Sequence, residues 1–410
     1  MTPYPIRPFT ADEFPRVGRV IAGAFLESYR EEDIAVLQRT LELDRGLAAF
    51  DGDRPVATAG AHTFELTVPG TVAPAAGVTI VTVDPTYRRQ GLLSALMTRQ
   101  LGDLAEGGEA VAVLWASESS IYRRYGYAVA SYRTMLEVDR AAAGLVADAP
   151  VDPELRLTIA DPGEVTDDLA KLYDELRPQR PGFVTRDEAH WADTLNDPEH
   201  ARDGALAMQA LLVHGPAGDL RAYALHRISP GHDGLTSTAT VRVEEIQAND
   251  AAAYAACWRF LSTVDLTAKV TSRQLPMDAP LFAMLADPRR ARAIRNDALW
   301  VRLVRVGDAL AQRRYAAPVD LVLDVRDERC PHNAGRWHLT GDEQTASCER
   351  TTATADLELD VRVLASAYLG ESSLTAHAQA GYVTERREGA LRRLGAAMSW
   401  EPRPWCPHSF

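Results

Sequence analysis

Phe14, Val17, Val20, Ile21 and Phe25 recur at the spacing of one helical face. They follow Thr10-Ala11-Asp12-Glu13, a Thr with Glu three residues later, which is the pattern of a capping box. A second short helix is expected over 33–43. The period then shortens to that of strands: 47–50 and 55–62 flank the turn Asp51-Gly52-Asp53, and 64–69 runs to Pro69-Gly70. A β-rich run over 77–83 stops at Asp84-Pro85. Leu93, Leu96, Met97, Leu101 and Leu104 restore the helical period, and Gly107-Gly108 closes that helix. A buried strand over 110–115 and a further strand over 131–138 complete this first stretch.

An Ala/Asp/Pro-rich segment, 145–153, marks a boundary, after which the order of elements partly repeats. Strand 155–159 leads through Asp161-Pro162-Gly163 into helix, and strand 239–246 is followed at once by helix 251–261. A third region from 291 carries strands at 320–325, 336–339 and 355–359, with helices at 361–369 and 388–398. The expectation is an α+β chain of three domains, 1–147, 148–290 and 291–410, which agrees with a length of 410 residues, too long for one ordinary core.

Composition narrows the class. Charged residues are 25% and hydrophobic residues 46%, ordinary for a globular protein, and no apolar run has the length of a membrane span. Met1-Thr2-Pro3-Tyr4-Pro5 lacks the basic and apolar regions of a signal peptide. Four cysteines without CxxC spacing suit a reducing compartment, so a cytoplasmic location is expected. The tripeptides Cys330-Pro331-His332 and Cys406-Pro407-His408 lack zinc-site spacing, and no metal is expected. A net charge of −13 with no basic stripe argues against nucleic acid and mildly favours cationic small molecules.

The chemistry concentrates in Val81-Thr82-Val83-Asp84-Pro85-Thr86-Tyr87-Arg88-Arg89-Gln90-Gly91-Leu92-Leu93. A strand feeds an arginine-rich loop that opens a helix. The free N–H groups and positive dipole end of a first helical turn bind phosphate, Gly91 lets backbone approach closely, and Arg88 and Arg89 supply charge to a pyrophosphate. This stretch resembles the acyl-CoA loop of the GCN5-related N-acetyltransferases, Arg/Gln-x-x-Gly-x-Gly/Ala, with Leu93 departing at the last position. The resemblance implies acetyl-CoA as co-substrate, bound by Val81, Val83, Arg88, Arg89, Gly91, Leu92, Leu93, Ser94 and Ser117. It implies that main-chain groups of Val81 and Val83 meet the pantetheine arm, with the Val83 N–H facing the oxyanion. Ile121-Tyr122-x-x-x-Gly126-Tyr127 resembles the same family's aromatic segment, making Tyr122 the expected general acid for the departing thiolate.

Arg88-Arg89-Gln90-Gly91-Leu92-Leu93, followed by Ala116-Ser117-Glu118-x-x-Ile121-Tyr122-x-Arg124-Tyr125-Gly126-Tyr127, is similar to the enhanced intracellular survival (Eis) family. That resemblance implies two acetyltransferase domains with mixed sheets in tandem, the second degenerate, then a sterol-carrier-like domain. The missing Arg-Arg-x-Gly loop at 246–251 fits a degenerate copy. It also implies a homo-hexamer, and a terminal α-carboxylate, here on Phe410, that takes a proton from a substrate amine. An α-carboxylate near pKa ~3.5 is a weak base, so burial or a water relay is needed. The acceptor is a cationic amine, an aminoglycoside or polyamine-like molecule, with Phe25, Glu27, Trp115 and Glu118 expected along its cleft. Ser409 stands where a strong aminoglycoside enzyme is expected to offer an acid, and Glu401 lies further back. Two other readings are a lipid- or sterol-carrier-type binding protein with vestigial transferase domains, and a protein-lysine acetyltransferase.

Overall fold

The computed structural model describes residues 4–26 and 29–410. Its contacts divide the chain into Met1–Ser131 with Ala298–Phe410, and Tyr132–Asp297. In the first unit the described residues build a seven-stranded sheet in the order Ile6–Pro8, Leu47–Asp51, Arg54–Val68, Thr71–Val83, Val111–Trp115, Leu299–Leu303 and Ala128–Val129. Strand periodicity sorts its side chains. Ala48 and Phe50 join Phe14, Val17 and Ile21 of the helix Phe14–Phe25. Leu47 and Ala49 join Leu92 and Leu96 of the helix Leu92–Gly107. Helices therefore cover both faces, as period-two alternation of buried residues requires.

Three sequence expectations change. Thr63, a predicted break between two strands, lies inside the 15-residue strand Arg54–Val68. Its hydroxyl donates to Glu42 at 2.7 Å, so a side-chain partner, not a turn, accommodates the polar position. The second helix runs over Glu31–Thr40, starting where the Asp33 carboxylate accepts the Arg30 N–H at 2.7 Å. The third change is larger. Tyr132–Asp139, predicted as a closing strand of the first domain, pairs instead with Thr267–Pro276 and Arg292–Asp297 in the second unit. The first sheet is completed by Leu299–Leu303, which pairs with both Val111–Trp115 and Ala128–Val129. Alternation reveals a buried face but not which sheet supplies the partner; all five residues of Leu299–Leu303 are buried, as a central strand demands.

The second unit holds another seven-stranded sheet among the described residues, ordered Arg292–Asp297, Tyr132–Asp139, Thr267–Pro276, Ala239–Ala248, Leu220–Ser229, Gln209–His214 and Arg156–Ala160. The helix Ala251–Thr263 packs Ala253, Cys257 and Leu261 on Val241, Val243 and Val270. After Leu299–Leu303 the first unit continues into a five-stranded sheet, Ala346–Arg350, Gly335–Gly341, Val319–Arg326, Leu357–Asp360 and Val383–Glu385. The buried Arg313 guanidinium donates to the carbonyls of Ala367 at 3.1 Å and Met398 at 3.0 Å. It thus satisfies the C-terminal ends of the helices Val361–Ala367 and Ala390–Met398 and fixes the point where the last segment departs.

Candidate active site

Thr71–Val83 and Val111–Trp115 are parallel neighbours, but they pair only at Ala75/Val111, Ala76/Ala112 and Gly77/Val113. Beyond Gly77 they part. On its other side Thr71–Val83 stays bonded to Arg54–Val68, with a register shift between Thr58 and Gly60. Opposite that shift Ile80 has φ +48°, a left-handed conformation that a β-branched residue adopts only under tertiary constraint. The constraint is local: the Thr58 hydroxyl is 2.6 Å from the Ile80 carbonyl and 2.6 Å from the Thr82 hydroxyl. Gly60 leaves room for the Ile80 side chain, which a β-carbon there would meet at 3.0 Å. The Asp84 N–H donates to Val56 and Thr82 is opposite Thr58, so these residues carry the ladder. By strand alternation the main-chain groups of Val81 and Val83 turn to the open side. Thr58, Gly60 and Ile80 were not legible as site residues, because a bulge leaves no periodic signal.

The loop after Val83 is held by one local bond and by two that tie it to the turn between the preceding strands. Asp84 accepts from the Thr86 N–H at 2.9 Å and from Arg54 at 2.7 Å, and Tyr87 donates to Asp51 at 2.6 Å. Arg89 and Gly91 take positive φ, +62° and +82°, and Gly91 is the N-cap of Leu92–Gly107 with no side chain capping the first turn. Arg88 and Arg89 are exposed, and neither has an ion-pair partner among the described residues. Two unneutralised guanidiniums thus stand beside an uncapped helix N-terminus, an arrangement suited to a polyphosphate. Leu93, the departure from the family pattern, is partly buried against the core cluster that includes Met97, Tyr122 and Tyr125, and it also lines the cleft.

A cleft of about 720 Å³ joins these parts. Val81, Val83, Arg88, Arg89, Gly91, Leu92, Leu93, Ser94, Ser117, Glu118, Tyr122 and Phe25 all line it. Thr82, Tyr87, Arg124 and Tyr125, which stand in the quoted motifs without an assigned role, line it as well. Glu27 lies outside the described residues. Burial of Tyr122, with Tyr125 and Glu118 adding to it, pushes its phenol up to about 12, so it is neutral at physiological pH and able to donate. The hydroxyls of Tyr125 and Ser94 are 3.1 Å apart, which ties the turn after Tyr122 to the first turn of the helix. Tyr127 is fully buried against Tyr122 with ring centroids 5.9 Å apart.

Trp115, expected along the acceptor's cleft, meets the last segment: its indole N–H donates to the His408 carbonyl at 2.9 Å. The last segment is seated rather than frayed: residues 404–408 are buried, Ser409 is exposed and Phe410 is half-buried. The Phe410 ring packs edge-on to Phe64 at 4.9 Å, beside His62 at 6.2 Å. A β-carbon at Gly77 would lie 3.2 Å from the Phe410 ring, so the segment ends over the residue where the two strands begin to part.

The second unit repeats the plan with the chemistry removed. Ala239–Ala248 and Thr267–Pro276 are parallel neighbours, and the strand leads into Ala251–Thr263 after two residues. Here the helix N-terminus is capped: Asp250 accepts from Ala252 at 2.9 Å and Ala253 at 3.0 Å, placing a carboxylate where an anion would bind. In the same unit the buried Arg186 and Glu245 pair at 2.8 Å, with Tyr223 donating to Glu245 at 2.6 Å.

Comparison with known proteins agrees with this geometry. Acetyltransferase (GNAT) domain models match residues 5–130 and 182–306, and a sterol carrier protein domain model matches 306–407. An uncharacterized N-acetyltransferase of Streptomyces avermitilis is 41% identical over 95% of this chain and 94% of its own. N-acetyltransferase Eis of Mycobacterium bovis is 34% identical over 95% of each chain. The crystal structure of Eis1 from Mycobacterium abscessus, 32% identical, superposes with a TM-score of 0.84 over 99% of this chain and 100% of that one.

Proposed function

The chain belongs to the Eis-type N-acetyltransferases of the GNAT superfamily, and we propose that it moves the acetyl group of acetyl-CoA directly onto a primary amine of a cationic small molecule, an aminoglycoside or a polyamine-like compound. One observation carries the reading. A single cleft collects the uncapped N-terminus of Leu92–Gly107, the unpaired Arg88 and Arg89, the open edge of Val81 and Val83, and the neutral phenol of Tyr122.

Acetyl-CoA supplies the acetyl group as a thioester. The first-turn N–H groups of Leu92, Leu93 and Ser94, with Arg88 and Arg89, hold the pyrophosphate, and Gly91 and Ser117 border it. The main-chain edge of Val81 and Val83 aligns the pantetheine arm, and the Val83 N–H donates to the oxygen that gains charge. Phe25 and Glu118 flank the amine. Its nitrogen bonds to the carbonyl carbon as the carbon–sulfur bond breaks. The Phe410 carboxylate takes the amine proton, and Tyr122 donates its proton to the departing sulfur, regaining one from solvent. Acid and base thus act on separate atoms, and the products are the acetamide and CoA thiol.

Four cysteines present as free, buried thiols support a cytoplasmic setting, and among the described residues no helix is long and apolar enough to cross a membrane. The homo-hexamer belongs to the same proposal, by resemblance alone, and light scattering tests it. The function is tested by free-thiol release from acetyl-CoA against a panel of aminoglycosides and polyamines. Release that requires both components is the expected result. No release with any amine, together with no CoA binding, would replace this reading with a lipid-binding role for residues 306–407.

A further inference from the structure

We propose that Trp115 is a positioning residue that sets the Phe410 carboxylate against the acceptor amine. The inference rests on the terminal-carboxylate reading above and deepens it.

Trp115 is the last residue of Val111–Trp115, held from the other side by its pairing with Leu299. Its side chain is therefore anchored on a central strand, two residues past the Gly77/Val113 pair after which the cleft opens. The indole N–H reaches the His408 carbonyl at 2.9 Å, and the same oxygen accepts the Cys406 thiol at 3.1 Å. The thiol bond closes a turn within the segment and moves with it. The indole bond, from a strand 293 positions earlier, ties that turn to the sheet. His408 is also the last buried residue, since Ser409 is exposed and Phe410 half-buried. Beyond the tethered carbonyl two residues remain, a lever of roughly 7 Å. What holds its far end is ring packing of Phe410 on Phe64, which fixes a ring better than it aims a carboxylate. A general base displaced by about an ångström loses much of its effect, so the indole donor has leverage on turnover.

The two roles open to Trp115, filler and donor, rank substitutions in opposite order. Trp115→Phe keeps an aromatic ring and loses the N–H. Trp115→Gln loses the ring and keeps an N–H at comparable reach from the backbone. Positioning through the hydrogen bond makes Gln the better replacement, and packing makes Phe the better one.

The experiment measures kcat and the acetyl-CoA KM for both variants, each with the natural end and with Phe410 deleted. The expected result is a kcat about tenfold lower in Trp115→Phe, the size of one hydrogen bond, partial recovery in Trp115→Gln, and an unchanged KM for acetyl-CoA. With Phe410 deleted, Trp115→Phe should cost nothing further, because nothing is left to position. Equal losses with and without Phe410, or Phe outperforming Gln, would overturn the positioning role while leaving the carboxylate reading intact. Full activity after deletion of Phe410 alone would instead remove the carboxylate reading, and the positioning role with it.

Discussion

The guanidinium of Arg302 lies directly under Gly126: a β-carbon at Gly126 would sit 2.6 Å from the Arg302 Cζ. Gly126 also has φ +86°, so this position excludes a side chain twice over. The turn that ends the Tyr122 segment therefore rests on a charged group delivered by Leu299–Leu303. Arg302 is fully buried and pairs with Asp327 at 2.7 Å, and Asp327 in turn accepts from Asn333 at 2.9 Å. Gly126→Ala is expected to lower the melting temperature by several degrees and to lower kcat with it. Asp327→Ala, which leaves Arg302 buried without its counter-charge, is expected to cost about 3–5 kcal/mol. Thermal and urea denaturation check both; a Gly126→Ala protein melting with the parent would show that the turn yields freely.

Gly91 offers a contrast. Its φ is +82°, yet nothing lies within 4 Å of a β-carbon placed there. Gly91→Ala therefore costs only backbone strain, about 1–2 kcal/mol, and leaves the core untouched. The expectation is a small change in melting temperature with a clear rise in the acetyl-CoA KM. An unchanged KM would mean that the loop tolerates a shifted backbone while holding its ligand.

Removal of the phenol of Tyr122 tests the acid. Tyr122→Phe is expected to reduce kcat on the order of 100-fold with the acetyl-CoA KM retained, as thiol release would report. Its pH behaviour has a definite sign. A phenol raised to about 12 stays protonated past the ordinary ~10, so ionisation of Tyr122 should give kcat no alkaline limb near ~10. An alkaline limb with an apparent pKa near ~10 that vanishes in Tyr122→Phe would contradict the buried, neutral acid.

The same shift makes a statement about stability. Burial raises the phenols of Tyr122, Tyr127, Tyr254, Tyr315 and Tyr368. Each binds its proton more tightly folded than unfolded, so its contribution is whole below the unfolded value of ~10 and is lost as pH climbs toward the folded value. The protein is expected to unfold at progressively lower temperature above pH ~10. Constant melting temperatures through that range would argue that these rings ionise without opening the fold.

Asp250 separates the two copies. Asp250→Ala removes the side-chain cap of Ala251–Thr263 and is expected to cost about 1 kcal/mol with no effect on the acetyl-CoA KM. A lowered KM, or a second CoA equivalent in calorimetry, would mean that the carboxylate alone keeps that helix end from binding an anion.

The sequence by itself determined most of the elements and most of the cleft. Helical spacing located Phe14–Phe25 and Leu92–Gly107, and Arg88, Arg89 and Gly91 were legible as cleft residues because they stand together in one loop between a strand and a helix. Tyr122 was legible through its distance from Gly126. What stayed hidden depends on partners remote in the chain. Alternating strands do not name their neighbours, so the transfer of Tyr132–Asp139 to the second sheet and the entry of Leu299–Leu303 into the first could only be seen folded. The bulge at Ile80 follows from Thr58, Gly60 and Thr82 acting on one peptide, and the seat of Phe410 from Trp115, Gly77 and Phe64. Local pattern encodes which face is buried; only tertiary structure decides against what, because hydrogen bonds and packing between distant segments leave no period to read.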